Sequence, residues 1–146
     1  MSPPDPSLIG GIINALGSGL PHLLLQFAVA VALLAAGVAV YMVATPFRER
    51  QLIEEGNTAA GVVLSGAIVA MAIPIAATLA TSALVLDLIV WGTVAVLLQL
   101  LTVVGVSLVF HHLRATIQHG NVAAALTLAG TQIAVALLNA AVMIPN

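Results

Sequence analysis

The residues that could do chemistry are few, and most of them lie in two polar segments of the chain. One segment, FRERQLIEEGN, carries Glu54 and Glu55, and the other, HHLRATIQHGN, carries His111, His112 and His119. Neighbouring side chains on a helix diverge by about 100°, so neither segment alone converges on a metal ion. A metal site would need the two segments to meet, and no serine, histidine and acid form a recognisable catalytic motif. We therefore expect no enzyme activity, no cofactor and no metal site.

Four neutral polar side chains occur inside apolar stretches, namely Gln99, Thr102, Gln132 and Asn139. Such groups need hydrogen-bond partners in lipid. One interpretation is bonding between helices, for example Gln132 with Gln99 or with another subunit. The other is a solute path lined by amides. Asp, Glu, Lys and Arg do not occur at this depth, which favours bonding between helices and argues against a proton relay.

The elements that position these residues follow from the composition. Charged residues make up 5% of the 146 residues, against about 25% in soluble domains, and hydrophobic residues make up 62%. So few charges cannot cover a water-soluble domain of this size. The composition excludes a soluble domain, a nucleic-acid-binding protein and a disordered tail, and it predicts an integral membrane protein in contact with the lipid bilayer.

The hydropathy pattern predicts an all-α protein with four transmembrane helices. A span needs about 20 apolar residues, and lipid offers no partner for unpaired backbone groups. The predicted spans are 23–43, 57–81, 86–110 and 122–144. Pro74 should kink the second span. His22 and Asp87 lie at the same end of the first and third spans, where they could pair, and Asp87 could also cap the third helix.

Residues 1–20 are expected to form a separate piece. The stretch SLIGGIINALGSGL is apolar but short and rich in glycine, and a break is expected at Pro21. This piece is either an interfacial or re-entrant segment or a frayed terminus. It lacks Lys and Arg, so we do not expect a cleaved signal peptide. The rest of the chain divides into 21–80 and 81–146, with two spans in each part.

The two halves of the chain resemble each other at a shift of 64 residues. IEEGNTAAGVVLSG, from residue 53, and IQHGNVAAALTLAG, from residue 117, are identical at seven of fourteen positions. Each copy holds one polar segment between two spans. The sequence therefore predicts two parallel two-helix repeats related by a pseudo-two-fold axis along the membrane normal.

A Gly-Asn pair directly precedes the second and the fourth spans, as Gly56-Asn57 and Gly120-Asn121. Glycine can end a short interfacial helix in a left-handed conformation, and asparagine can cap the next helix. The alternative is a cytoplasmic vestibule in which the asparagines and the helix N-termini face an anion. Capping is favoured because it explains both residue types.

Small residues form a stripe along each of these two spans. The four positions of each set fall on one helix face and match between the copies: Ala59, Gly66, Ala70 and Ala77, and Ala123, Gly130, Ala134 and Ala141. We expect the stripes to pack against each other, because small residues let helix backbones approach closely in lipid. Opposite the second stripe lie Asn121, Gln132 and Asn139, a polar line expected at a protein–protein contact.

These motifs carry a resemblance to a known family. The doubled I-x-x-G-N-x-A-A-A/G signature, which opens the second helix of each two-helix unit, resembles the YjfL-like family of small bacterial inner-membrane proteins, domain-of-unknown-function family 350. The resemblance extends over about residues 23–144 and implies an inner-membrane location. The family has no established activity, and the resemblance implies an association with envelope-stress and polyamine-related genes.

The sequence favours a structural or assembly subunit of a membrane complex. Such a subunit would pack against itself, as a homo-oligomer, or against other membrane-protein subunits. The alternative is a small channel or transporter for an uncharged or weakly polar solute, which would need a wet cavity lined by amides.

The three arginines predict the topology. Arg48, Arg50 and Arg114 all lie in the two polar segments, which the positive-inside rule places in the cytoplasm with both termini outside. Cysteines introduced at Glu54 and at Ser2 of this cysteine-free chain should react with impermeant reagents from opposite faces of the membrane. Labelling of Ser2→Cys from the cytoplasmic face would contradict this topology.

Overall fold

The structure, a computed structural model, describes residues 6–45, 48–109 and 112–144, and its regular elements are all helices. In chain order these are α1 (Pro6–Ala44), α2 (Glu49–Glu54), α3 (Thr58–Thr81), α4 (Val85–Val109), α5 (Leu113–Gln118) and α6 (Val122–Met143). The helices α1, α3, α4 and α6 are long and apolar enough to cross a membrane, which confirms the four predicted spans. The short helices α2 and α5 lie in the two polar segments.

The ends of three spans agree with the prediction to within one residue, although the predicted end of the third, Phe110, lies outside the described residues. The first helix differs. It begins at Pro6 and continues through Pro21, so the predicted break at Pro21 is wrong. One proline removes a single backbone hydrogen bond, whereas a break in apolar surroundings would leave several backbone groups unpaired. Residues 1–5 lie outside the described residues.

The N-terminal half of α1 extends beyond the rest of the bundle. Gln26 Nε2 donates a hydrogen bond to the carbonyl oxygen of Ser82 at 3.3 Å, so the turn between α3 and α4 is level with Gln26. The residues of α1 before this point add about 30 Å of helix. Their exposed side chains include Ile9, Ile12, Ile13, Leu16 and Leu20. This part of α1 has no protein partner within the described chain.

The central helix of the bundle is α3, which packs against α1, α4 and α6. Its contact with α6 is the most extensive in the described structure. Gly66 marks the closest approach, because a Cβ added there would overlap with the Cβ of Ala129. Of the other small residues predicted on this helix, Ala59 and Ala70 are buried and Ala77 is half-buried. Close packing of this kind holds helices together where lipid removes the hydrophobic driving force.

On α6 the contact uses a different face from the predicted one. The buried residues are Ala125, Leu128, Ala129, Gln132, Ala136 and Ala140. The predicted residues Ala123, Gly130, Ala134 and Ala141 are exposed. The expectation that the two stripes face each other is therefore wrong for α6. The physical reason is Gln132, whose amide would have no partner in lipid, so its face turns inward and the small residues opposite turn outward.

Replacement of Gly66 by leucine should destabilise the bundle, because the new side chain would overlap with Ala129. Overpacking of this kind costs about 1–3 kcal/mol, so the thermal midpoint should fall in a detergent that keeps the protein monomeric. Gly130→Leu is the matched control, since nothing lies within 4 Å of a Cβ added there. Equal losses in both variants would contradict this packing of α3 and α6.

Candidate functional site

The candidate site begins at Glu49, the first residue of α2. Its side chain is 3% exposed, whereas Glu54 and Glu55 in the same segment are exposed. A carboxylate is rarely buried in this way, because removing its charge from water is costly unless a partner compensates. The buried position of Glu49 therefore requires a group that compensates the charge of its carboxylate.

Tyr41, near the end of α1, holds one oxygen of this carboxylate. Its hydroxyl donates a hydrogen bond to Glu49 Oε1 at 2.9 Å, and its side chain is 1% exposed. The ring packs with Ala67, Met71 and Val103, which fixes the position of the hydroxyl. The second oxygen, Glu49 Oε2, is buried and has no hydrogen-bond partner in the described part of the chain.

Two glutamines continue the site into the middle of the spans. Gln99 lies ten residues before the end of α4 and Gln132 ten residues after the start of α6, about 15 Å from those helix ends. Gln99 Nε2 donates to the backbone oxygen of Gln132 at 2.7 Å. Tyr41, Glu49, Gln99 and Gln132 together are called the buried polar cluster.

The buried polar cluster contains more polar atoms than it pairs. Glu49 Oε2, Gln99 Oε1 and both polar side-chain atoms of Gln132 lack partners among the described residues. Leaving a buried polar group unpaired costs about 1–3 kcal/mol. Three of these atoms are oxygens, so the cluster offers more acceptors than donors.

Burial raises the pKa of the Glu49 carboxyl from 4.5 to about 7, and the hydrogen bond from Tyr41 partly opposes this rise. The cause is desolvation, which disfavours the charged form of an acid. Near neutral pH the carboxyl of Glu49 can therefore exchange a proton.

Tyr41 and Glu49 are not among the residues that the sequence pattern predicts, whereas Gln99 and Gln132 are. Glu49 lies in a segment rich in charged residues, which suggests that its side chain is exposed to water. One signal points the other way: Glu49 shares a helix face with Leu52, three residues later, and Leu52 is half-buried. The burial of Tyr41 has no local signal, because it depends on where α2 packs.

The other predicted polar residues lie outside the buried polar cluster. Thr102 Oγ1 donates to the carbonyl oxygen of Leu98 in its own helix at 3.0 Å. Asn121 is exposed at the start of α6. Asn139 lines a separate recess between α3, α4 and α6, near Asp87, and its Nδ2 atom is unpaired among the described residues.

The pairing of His22 with Asp87 is not found in the described structure, where both side chains are exposed. Asp87 also lies inside the first turn of α4 rather than at its cap. His112 and His119 are exposed, and His111 lies outside the described residues. Within the described part of the chain, no group of three His, Cys, Asp or Glu side chains could hold a metal ion.

The two Gly-Asn pairs have the same local geometry. Gly56 and Gly120 have φ values of +84° and +83°, in the left-handed region that favours glycine. Asn57 and Asn121 cap the following helices, each accepting a bond from the backbone N–H three residues on at 3.0 Å. Asn57 Nδ2 also donates to the carbonyl oxygen of Gln118 at 3.0 Å, which joins the two polar segments. These side chains thus serve the ends of helices.

Residues 15–143 match the family model described as Domain of Unknown Function (DUF350). The chain belongs to the DUF350 family. This match confirms the family resemblance that the Gly-Asn motifs indicate. It also begins closer to the N-terminus of α1 than that resemblance does.

This DUF350 protein is 32% identical over 117 residues to UPF0719 inner membrane protein YjfL of Escherichia coli strain K12, covering 80% of this chain and 89% of the relative. The same figures hold for YjfL of Escherichia coli O157:H7. No solved structure matches the chain. Both relatives are named inner membrane proteins, and the four apolar helices support the same location here.

The raised pKa of the Glu49 carboxyl predicts that the stability of the folded protein depends on pH. The pKa of its carboxyl in the folded protein, about 7, exceeds the ordinary 4.5, so the folded state binds the proton more tightly than the unfolded chain does. The stabilising contribution is complete below pH 4.5 and is lost as the pH rises through about 7. In detergent, the thermal midpoint should fall across this window, and Glu49→Gln should remove that fall.

Glu54→Gln is the matched control for this titration, because Glu54 lies on the same short helix and is exposed. This variant should retain the pH dependence of the parent protein. A fall of the same size in the parent protein and in both variants would show that the buried carboxyl of Glu49 is not its source.

Proposed function

We propose that this DUF350 protein is a non-enzymatic structural subunit that assembles with copies of itself in the inner membrane. The observation that carries the proposal is the small-residue face of α6, which points away from the bundle. Its members are Ala123, Gly130, Ala134 and Ala141, all exposed. In lipid, small residues allow close contact between helix backbones, so this face offers a packing surface that the chain itself leaves unused.

The internal repeat suggests what packs on this face. At the shift of 64 residues, Gly66 corresponds to Gly130, and Ala129 corresponds to Ser65. Within one chain, Gly66 of α3 lies against Ala129 of α6. The equivalent contact between chains would place Gly130 of one copy against Ser65 of the next.

The surface around Ser65 can receive such a helix. Ser65 lines an open groove along α3, together with Gly61, Val62 and Val69. Ser65 and Val69 are exposed. Because the two surfaces in this contact differ, the contact is heterologous and would build a ring or a continuing row of subunits.

We also propose that the subunit is built from two parallel repeats related by a pseudo-two-fold axis, with its polar segments in the cytoplasm. The φ values at Gly56 and Gly120, 64 residues apart, differ by only 1°, which supports the repeat. Since α3 and α6 both begin at a Gly-Asn pair, the repeated contact would keep all copies in one orientation in the bilayer. A link to envelope stress stays a prediction from the family resemblance.

The alternative is a channel or transporter for an uncharged or weakly polar solute, which would need an open path lined by amides. Gln99 and Gln132 are 1% and 0% exposed, and other parts of the same chain cover them. This burial supports the structural role. Solute flux through reconstituted protein that Gln132→Leu alters, with assembly intact, would favour the alternative.

Cysteine cross-linking tests the proposed contact. The chain has no cysteine, so the double variant Ser65→Cys, Gly130→Cys places a thiol on each of the two surfaces. Oxidation in membranes should link it into dimers and larger products, because a heterologous contact leaves a free surface at each end of a dimer.

Single variants should stay monomeric in this experiment. The double variant Ser65→Cys, Gly105→Cys is the matched control, because Gly105 is an exposed glycine on α4 with nothing within 4 Å of an added Cβ. Strong linkage by Gly130→Cys alone would indicate a two-fold contact between α6 helices instead. An unlinked Ser65→Cys, Gly130→Cys protein would contradict the assembly.

A further inference from the structure

We infer that the recess between α3, α4 and α6 binds a phospholipid whose headgroup carries a primary ammonium, as phosphatidylethanolamine does. This recess lies at the end of the bundle opposite the polar segments and has a volume of about 420 Å³. A pocket of this size can enclose a small ligand or part of a larger one. Ser65 and Gly130 are not among its lining residues, so the inference is independent of the proposed assembly.

The recess follows one face of α4 from its first turn into the span. Four lining residues share this face, at intervals of four, three and four: Asp87, Trp91, Val94 and Leu98. They cover about 16 Å of the helix axis. Trp91 and Leu98 are 55% and 44% exposed, so the recess opens sideways to the acyl chains. An amphiphile can therefore enter it from the bilayer.

Polar and apolar lining residues are separated along this length. Asp87 lies about 3 Å along the axis from the start of α4, and Asn139 lies about 6 Å from the end of α6. Val94 and Leu98 lie deeper, about 14 and 20 Å from the start of α4. This order fits a molecule with a polar head near the helix ends and an apolar tail that extends into the bilayer.

The polar end of the recess offers acceptors to a donor with positive charge. Asp87 forms no ion pair within the described part of the chain. Thr78 and Thr81 donate their hydroxyls to carbonyl oxygens of α3 at 2.8 and 3.0 Å, so a ligand can use these hydroxyls only as acceptors. A primary ammonium supplies three N–H donors and one positive charge, and the indole of Trp91 in the same recess also attracts cations.

Asn139 supplies a donor to the same recess. Its Nδ2 atom is buried and unpaired among the described residues, and an unpaired buried donor is unfavourable. The phosphate of a phospholipid is a strong acceptor for such a group. Because the phosphate and the ammonium of phosphatidylethanolamine are separate groups, Asp87 and Asn139 need not converge on one atom.

This arrangement predicts which phospholipids bind. Phosphatidylcholine carries a quaternary ammonium without N–H donors, so it would forfeit the hydrogen bond to the Asp87 carboxylate. Phosphatidylglycerol carries the phosphate without an ammonium, so its charge would be repelled by Asp87. Phosphatidylethanolamine has both the donor and the acceptor that the recess requires.

Quenching of Trp91 fluorescence tests the site, because Trp91 is the only tryptophan of the chain and lines the recess. Purified full-length protein is reconstituted in phosphatidylcholine vesicles with increasing fractions of a phospholipid that has brominated acyl chains. The phosphatidylethanolamine form should quench at about one-tenth of the fraction that the phosphatidylcholine form needs, the effect of one hydrogen bond to a charged group. The phosphatidylglycerol form should quench no better than phosphatidylcholine.

Variants separate the two halves of the site. Asp87→Asn should abolish the preference for phosphatidylethanolamine, and Asp87→Glu should retain it. Asn139→Leu should weaken the binding of phosphatidylethanolamine but keep its preference over phosphatidylcholine, because both lipids carry the phosphate. Glu54→Gln, which removes an exposed acid at the other end of the bundle, is the matched control and should behave as the parent does. Far-ultraviolet circular dichroism and gel filtration check that each variant folds.

Three results would overturn the inference. Equal quenching by all three brominated lipids would show that α4 contacts bulk lipid alone. A preference for phosphatidylethanolamine that persists in Asp87→Asn would place its cause outside the recess. Relief of the quenching by millimolar glycerophosphoethanolamine, which has the same headgroup without acyl chains, would assign the recess to a water-soluble amine instead of a lipid.

Discussion

An amide in the middle of a membrane helix turns toward the protein, since acyl chains offer it no hydrogen-bond partner. In this chain the decisive amide is that of Gln132, which is 0% exposed and whose backbone oxygen accepts a bond from Gln99. Its inward position sets the rotation of α6 about its own axis. That rotation brings Ala129 against Gly66 of α3 and leaves Gly130 on the outer surface. Both the inner packing and the outer surface of α6 depend on this constraint.

Similar sequences have different surroundings in the two halves of the chain. α3 packs against α1, α4 and α6, whereas α6 packs mainly against α3 and lies at the edge of the bundle. Ala70 is therefore 0% exposed, while Ala134, its counterpart 64 residues later, is exposed. A helix at the edge of a bundle that carries small residues on its outer face has an unused surface for close packing in lipid.

The fold could be predicted from sequence where local rules decide it. Hydropathy and length determine where α3, α4 and α6 run, because a polar backbone in lipid must be helical over the whole span. The caps at Asn57 and Asn121 follow from a left-handed glycine before an asparagine. Pro21 shows the limit of such rules. A proline that ends a helix in water is retained within α1, where a break would expose more backbone groups than the proline itself leaves unpaired.

The sequence by itself determined the number of spans, the capped turns and the presence of Gln99 and Gln132 at depth. Only the tertiary structure decided which face of α6 is buried and that Glu49 is buried beside Tyr41. The reason is that Glu49 differs from the exposed Glu54 in its surroundings and not in its type. Its burial depends on α2 packing beside the end of α1, where the Tyr41 hydroxyl meets its carboxylate at 2.9 Å. Contacts between distant segments set burial, and burial sets the chemistry of a carboxylate.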